Sequence, residues 1–205
     1  MLDFRARRRA FGHDLWEKKI RSDNSVLYPV FLNLQGRRCV LVGAGGVATR
    51  KARRLLQARA EVVVVAPEVS PELEGLAHEV HRRPYRTGDL EGAFVAFAAT
   101  GSREVNEAVA REGRRLGVPV NVADDPGGGD FALPSALRRG RLQVAVSTGG
   151  ASPALAREIR RRLEGLFGPE WAGIVEELWR ARRDGRAPDG RLEEEVSRCL
   201  SRLRA

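Results

Sequence analysis

The run Gly43-Ala44-Gly45-Gly46-Val47-Ala48 constrains the fold of this chain more than any other stretch. It follows a short apolar run, Arg38-Cys39-Val40-Leu41-Val42, and precedes a stretch with helical spacing, Thr49 to Ala58. Glu61-Val62-Val63-Val64-Val65-Ala66-Pro67 is a second apolar run, stopped by proline. Continuous apolar runs of this length suit strands buried on both faces. In a G-x-G-x-x-A turn between such elements, each small residue has a task. Gly43 permits the tight turn off the strand, Gly45 lets the backbone approach a pyrophosphate, and Ala48 lets helix and strand pack closely. Free N–H groups and the positive end of the helix dipole then face the phosphates. With a strand before it, a helix after it and a second strand beyond, the turn favours dinucleotide binding over a purely structural glycine loop.

The alternation continues. Tyr28 to Leu34 reads as an extended entry segment. Pro71 to His78 reads as a short helix, Phe94 to Thr100 as a strand, Glu104 to Leu116 as a helix, and Pro119 to Asp124 as a strand. Strands alternating with helices predict an α/β fold with a doubly wound parallel sheet. The pattern changes after Asp125, at the turn-rich Pro126-Gly127-Gly128-Gly129-Asp130. Phe131 to Ala136 leads to a strand at Leu142 to Ser147. A second glycine loop, Thr148 to Pro153, supplies Ser152 as an N-cap and Pro153 as the first helical residue. The helix runs to about Leu166 with Leu155, Ile159, Leu163 and Leu166 on one face. Glu170 to Arg183 and Arg191 to Leu203 are two further amphipathic helices. The division predicted is a basic extension at 1–27, a cofactor domain at 28–133, a region at 134–166 and a helical domain at 167–205.

Three other places carry candidate chemistry. An acid at the end of the second strand would hold the ribose of NAD, and Glu68 stands just beyond the usual position. No arginine occurs at 66–69 to receive a 2′-phosphate, which favours NAD over NADP. Asn121-Val122-Ala123-Asp124-Asp125 lies at the carboxyl end of a predicted strand, where open α/β sheets hold ligands. On residues alone, an aspartate there fits a general base, a metal-approach ligand or a turn cap before Pro126. Ser147-Thr148-Gly149-Gly150-Ala151-Ser152 places hydroxyls and bare backbone N–H groups ahead of a helix, which fits an anion site or an elaborate cap. No G-x-S-x-G elbow is present to support a hydrolase.

Composition excludes several classes. The two cysteines, Cys39 and Cys199, form no C-x-x-C pair, so neither a disulfide scaffold nor a zinc ribbon is expected. Three histidines make a His-rich metal site a poor fit. No apolar run approaches the ~18 residues of a membrane span, and residues 1–27 are too charged for a secretory leader, so a cytoplasmic protein is expected. The net charge of +9 points to an anionic partner. It is unevenly placed: +3 in 1–27, +1 in 28–133 and +5 in 134–205. Residues 138–162 hold seven arginines against one acid, Glu158. No basic strip interleaved with aromatics supports nucleic-acid binding.

Several stretches, in order, resemble the NAD-dependent precorrin-2 dehydrogenase/sirohydrochlorin ferrochelatase module of siroheme synthesis. They are Tyr28-Pro29-Val30-Phe31-Leu32, Val42 to Ala52, Ala98-Ala99-Thr100, Val120 to Asp124, Phe131-Ala132-Leu133-Pro134-Ser135 and Val144 to Arg157. The last two are the most specific. The resemblance implies a Rossmann domain, a dimerisation region at 134–166 and a small helical domain, assembled as a homodimer. It implies oxidation of precorrin-2 by NAD+ to sirohydrochlorin, and in many members insertion of Fe²⁺ as a further substrate. The family's key aspartate falls on Asp124. Its NAD contacts fall on Gly46 and Val47, on Pro67 and Glu68, and near Thr100, beside Gly43 and Gly45. The serine pair of its second glycine loop falls on Ser147 and Thr148, next to Gly149. Arg138, Arg139 and Arg141 are expected to meet the carboxylates of the tetrapyrrole, since arginine pairs bidentately with carboxylate, and Asn121, Ser147, Thr148 and Gly149 are expected to contact the substrate as well. No resident metal, nucleic-acid or membrane partner is expected. A dehydrogenase without chelatase activity, or an NAD-sensing domain without chemistry, are the alternatives.

Overall fold

The five residues Arg38–Val42 form β1, the central strand of a parallel sheet in a computed structural model that describes residues 27–123, 125 and 127–204. The other strands are β2 (Glu61–Val65), β3 (Glu79–His81), β4 (Val95–Ala98) and β5 (Val120–Val122). The sheet order is β3-β2-β1-β4-β5, and each pairing is parallel. The helices between them are α1 (Gly46–Gln57), α2 (Pro71–Glu74) and α3 (Arg103–Leu116). This is a Rossmann-like doubly wound sheet, and its strand order reverses between β1 and β4.

Both faces of the sheet are covered, which is why its strands are apolar throughout rather than alternating. Cys39, Leu41, Val62, Val64, Val95 and Phe97 face α1 and α2, packing on Ala48, Ala52, Leu55 and Leu73. Val40, Val42, Val63, Val65, Ala96, Ala98, Val120 and Val122 face the other side, packing on Val109 and Ala110 of α3. Cys39 is fully buried, and burial pushes its thiol up to about 11, so it is a packing residue and not a nucleophile.

The cofactor-domain elements fall close to their predicted positions, with one omission. The expected helix at 71–78 stops at Gly75, and the chain then pairs with β2 as β3. His78 closes that join: its N–H donates to Val62 O at 2.8 Å and its Nδ1 accepts from Val62 N–H at 3.1 Å. A three-residue edge strand with two polar residues has too little apolar alternation to announce itself. The entry segment from Tyr28 to Asn33 is exposed and pairs with no strand.

Two units divide between Ala132 and Leu133. The second is built on an antiparallel hairpin, β6 (Ser135–Arg139) with β7 (Leu142–Val146). Sequence reading anticipated β7 but not β6. The two strands are joined by Gly140 and Arg141, with Gly140 at φ +57°, the backbone that tight hairpins favour. Three helices follow: α4 (Pro153–Leu166), α5 (Glu170–Arg183) and α6 (Gly190–Ser201). Trp171, Ile174, Leu192 and Cys199 form the small core of α5 and α6, with the Phe167 ring tilted against Trp171 at 5.5 Å between centres. Ser152 caps α4 as expected, accepting from Leu155 N–H at 3.1 Å. The expected apolar face of α4 is largely uncovered, with Leu155, Ile159 and Leu166 exposed.

Candidate functional site

The carboxyl ends of β1, β2, β4 and β5 bring most of the expected cofactor residues of the first unit to one edge of the sheet. At the end of β1 the backbone turns at Gly43, whose φ is +110°. A Cβ on Gly43 would lie 2.3 Å from Ala99 O, so this turn admits glycine alone. Its N–H donates to Val65 O at 2.9 Å, which ties the turn to the end of β2. Gly45 is different: a Cβ there would meet nothing within 4 Å, and at Gly46 it would meet only Arg50 Nη1 at 3.7 Å. The space over these two residues is open. Gly45 is the N-cap of α1 and has no side chain to satisfy the first-turn donors, and no acid lies in that turn. By contrast α2, α3, α4 and α6 are capped by Ser70, Ser102, Ser152 and Asp189. An open, uncapped helix start beside bare glycine backbone fits a dinucleotide pyrophosphate.

Pro67 and Glu68 are exposed just past β2, on the same side of the sheet as the glycine turn. Val47, in the first turn of α1, is half-buried. Thr100, just past β4, is held in place by Asn106. Thr100 N–H donates to Asn106 Oδ1 at 3.2 Å and Asn106 Nδ2 donates to Thr100 O at 3.1 Å. The Thr100 hydroxyl lies 2.8 Å from the same Oδ1. Asn106 is buried on α3 and was not anticipated, although an amide on the apolar Val105/Val109 side of a helix is a visible irregularity.

Asn121, on β5, is the strand residue that faces α1, since its neighbours Val120 and Val122 belong to the opposite core. Its Oδ1 accepts from Lys51 Nζ at 2.7 Å, and its Nδ2 donates to Phe131 O at 2.9 Å. Lys51 Nζ also stands 5.4 Å from the centre of the Phe97 ring. Phe97 meets Phe131 edge-on at 5.6 Å. Lys51 was not among the expected site residues. Its signal was compositional: the chain has 33 arginines and three lysines, two of which lie in residues 1–27. Asp124, the expected catalytic carboxylate, lies outside the described residues. Asp125 accepts from Gly127 N–H and Gly128 N–H, the turn arrangement open to it from sequence.

In the second unit the expected anion loop is internally bonded. Thr148 Oγ1 donates to Ser152 O at 3.1 Å and accepts from Ser152 N–H at 3.0 Å. Ser147 Oγ accepts from Gly149 N–H at 3.2 Å. Gly149 and Gly150 both have positive φ. The arginines are also engaged. Arg138 Nε donates to Gly140 O and Arg139 Nε donates to Phe167 O. Arg141 pairs with Glu176 at 2.7 Å and its guanidinium sits over Trp179, 3.7 Å from the ring centre. Arg161 and Arg162 both pair with Glu158, whose carboxyl is held below its usual range by bonds first from Arg162 and then from Arg161. Arg160 pairs with Glu164. Beyond Glu158, which lies within 138–162, Glu164 and Glu176 thus answer part of the excess charge of that stretch. Among the described residues, no group of three or more His, Cys, Asp or Glu side chains could hold a metal ion, and no helix is long and apolar enough to cross a membrane.

Residues 30–135 match a family model described as putative NAD(P)-binding, and residues 139–166 match one described as the central region of sirohaem biosynthesis proteins. A siroheme synthase of Nitrosomonas eutropha is 44% identical over 145 residues, covering 68% of this chain and 30% of that protein. A siroheme synthase of Chromobacterium violaceum is 48% identical over 144 residues, covering 68% and 31%. The chain therefore spans about a third of the length of these relatives. Among solved structures, SirC, a precorrin-2 dehydrogenase, superposes with a TM-score of 0.67 at 31% identity, covering 86% of this chain and 92% of that one.

Proposed function

The chain belongs to the siroheme-biosynthesis family of NAD(P)-binding proteins, and from that membership we propose that it oxidises precorrin-2 to sirohydrochlorin with NAD+. The observation that carries the proposal is the turn after β1, where Gly43 is sterically required, Gly45 is open and α1 starts without a side-chain cap. That arrangement suits a pyrophosphate. The family and the structural relative supply the substrate class.

Bound NAD+ supplies the hydride acceptor. The protein's own residues do the remaining work. Gly43 makes the turn that lets Gly45, Gly46 and Val47 offer main chain to the phosphates, Pro67 and Glu68 receive the ribose, and Thr100 borders the cofactor from β4. Loss of hydride from the macrocycle must be matched by loss of a proton, and Asp124 takes it as general base. Asn121 orients the substrate beside it. Ser147, Thr148 and Gly149, with Arg138, Arg139 and Arg141, bind carboxylates of the tetrapyrrole. Insertion of Fe²⁺ into sirohydrochlorin is the second activity in this reading, with Asp124 assisting removal of pyrrole protons as the metal enters. NAD is favoured over NADP because Glu68, and no arginine, follows β2. The exposed Leu155, Ile159 and Leu166 of α4 suit burial against a second copy, in keeping with a homodimer working in the cytoplasm.

Incubation with precorrin-2 and NAD+ is expected to produce NADH and sirohydrochlorin together. A folded protein without NAD-dependent turnover overturns the assignment. Adding Fe²⁺ to sirohydrochlorin decides the chelatase activity. Asp124→Ala is expected to lower turnover by roughly a hundredfold while NAD+ affinity is kept. Unchanged turnover removes Asp124 from its role.

A further inference from the structure

We propose that Lys51 is a positioning residue of the site, whose ammonium fixes the Asn121 side chain and through it the pose of the substrate. This rests on the oxidation proposed above and names a residue that the reading did not use.

Local economy does not explain the pair. Val120-Asn121-Val122 is a buried strand in which an apolar residue at 121 would pack on α1 as Leu41 and Phe97 do. Instead the strand buries an amide at 8% exposure and reaches across 70 residues of sequence for a lysine. Burying an amide and placing an ammonium beside it costs desolvation that an apolar pair would avoid. Departures of this kind from the apolar pattern concentrate at functional sites. The place agrees: Asn121 pairs in register with Phe97, and the strand ends one residue later at the ligand-binding edge of the sheet.

The geometry also leaves the amide little freedom. Oδ1 is held by Lys51 and Nδ2 by Phe131 O, so the amide orientation is determined at both ends. Phe131 is in turn fixed against Phe97, and Phe97 presents its ring to the same ammonium. Lysine suits this task because a compact ammonium can sit over a ring and donate to one amide oxygen. A guanidinium is a wide planar fork. The choice is conspicuous because beyond residues 1–27 the chain otherwise uses arginine, including Arg50, Arg53 and Arg54 on the exposed side of the same helix.

Lys51→Met keeps most of the stem and removes the donor; Lys51→Gln keeps a donor without the charge. For Lys51→Met, kcat with precorrin-2 is expected to fall about tenfold or more, with NAD+ affinity and KM for NAD+ within about twofold of wild type. Asn121→Leu is expected to do the same, and the double variant to be no worse than the weaker single variant, because both remove one device. Wild-type kcat in Lys51→Met overturns the proposal. So does additive loss in the double variant, or NAD+ affinity falling in step with thermal stability. Loss of the fold in both Lys51 variants makes the residue a structural strut and also overturns it. A wild-type protein without turnover overturns the function itself, whereas an active wild type with an equally active Lys51→Met overturns this inference alone.

Discussion

Gly43 and Gly45 share a motif but answer to different forces. Gly43 is a requirement of the fold, since its φ of +110° and the 2.3 Å approach of Ala99 O leave no room for a methyl group. Gly45 has ordinary backbone and open space, so its smallness matters to a ligand and not to the fold. Gly43→Ala is therefore expected to destabilise the protein by at least about 2 kcal/mol, seen as a lower denaturant midpoint. Gly45→Ala is expected to keep the midpoint and weaken NAD+ binding. An unchanged midpoint for Gly43→Ala would contradict the steric account. The glycine spacing was legible in the sequence; the division of labour between the two glycines was not, because the Ala99 carbonyl that enforces it comes from the next strand pair. Lys51 and Asn121 illustrate the same limit. Each was in plain view, yet their bond spans 70 residues and exists only once the Lys51 side chain reaches from α1 past Phe97 to β5.

Helix α3 shows how packing reverses a local preference. Gly113 sits within it, where alanine would ordinarily gain about 0.5–1 kcal/mol of helix propensity. Here a Cβ would stand 2.2 Å from Val120 Cγ2 and 2.7 Å from the Val118 carbonyl oxygen. The helix lies so close to β5 that glycine is the contact surface. Gly113→Ala is expected to cost about 2 kcal/mol or more, again read from the denaturant midpoint; a stabilised variant would show that the helix can step back freely. Nearby, buried Glu112 accepts from Tyr85 and from Gly88 N–H, fastening the segment before β4 to the same helix. The elements that sequence reading found are the continuous apolar runs, such as β1, β2 and β4, and the amphipathic helices. Those it missed, β3 and β6, are partly exposed and mixed in polarity, so partners and not pattern make them strands. β3 exists because β2 offers a free edge, and β6 because Gly140 turns the chain back onto β7.

Charge belongs to the whole molecule. The net +9 resolves into +3 in residues 1–27, +1 in 28–133 and +5 in 134–205, and many of the second unit's arginines are answered by Glu158, Glu164 and Glu176. A pairing with surface carboxylates is weak in water, so these arginines can exchange partners when a polycarboxylate ligand arrives. Replacing Arg138, Arg139 and Arg141 together by Gln is expected to weaken tetrapyrrole binding about tenfold or more, with NAD+ binding within about twofold and a shallower salt dependence. Equal losses for both ligands would detach these arginines from substrate binding. Such a variant also removes the Arg141 cover on Trp179, so native circular dichroism must accompany the comparison. The sequence by itself determined the parallel sheet, the glycine turn, the capped start of α4 and the family, because apolar runs, special backbone residues and caps act within a few neighbours. Tertiary structure alone decided which glycine is obligatory, which amide is buried and what holds it, and how far the arginines are neutralised. Those outcomes depend on close approaches between segments distant in the chain, and no local pattern encodes a distance.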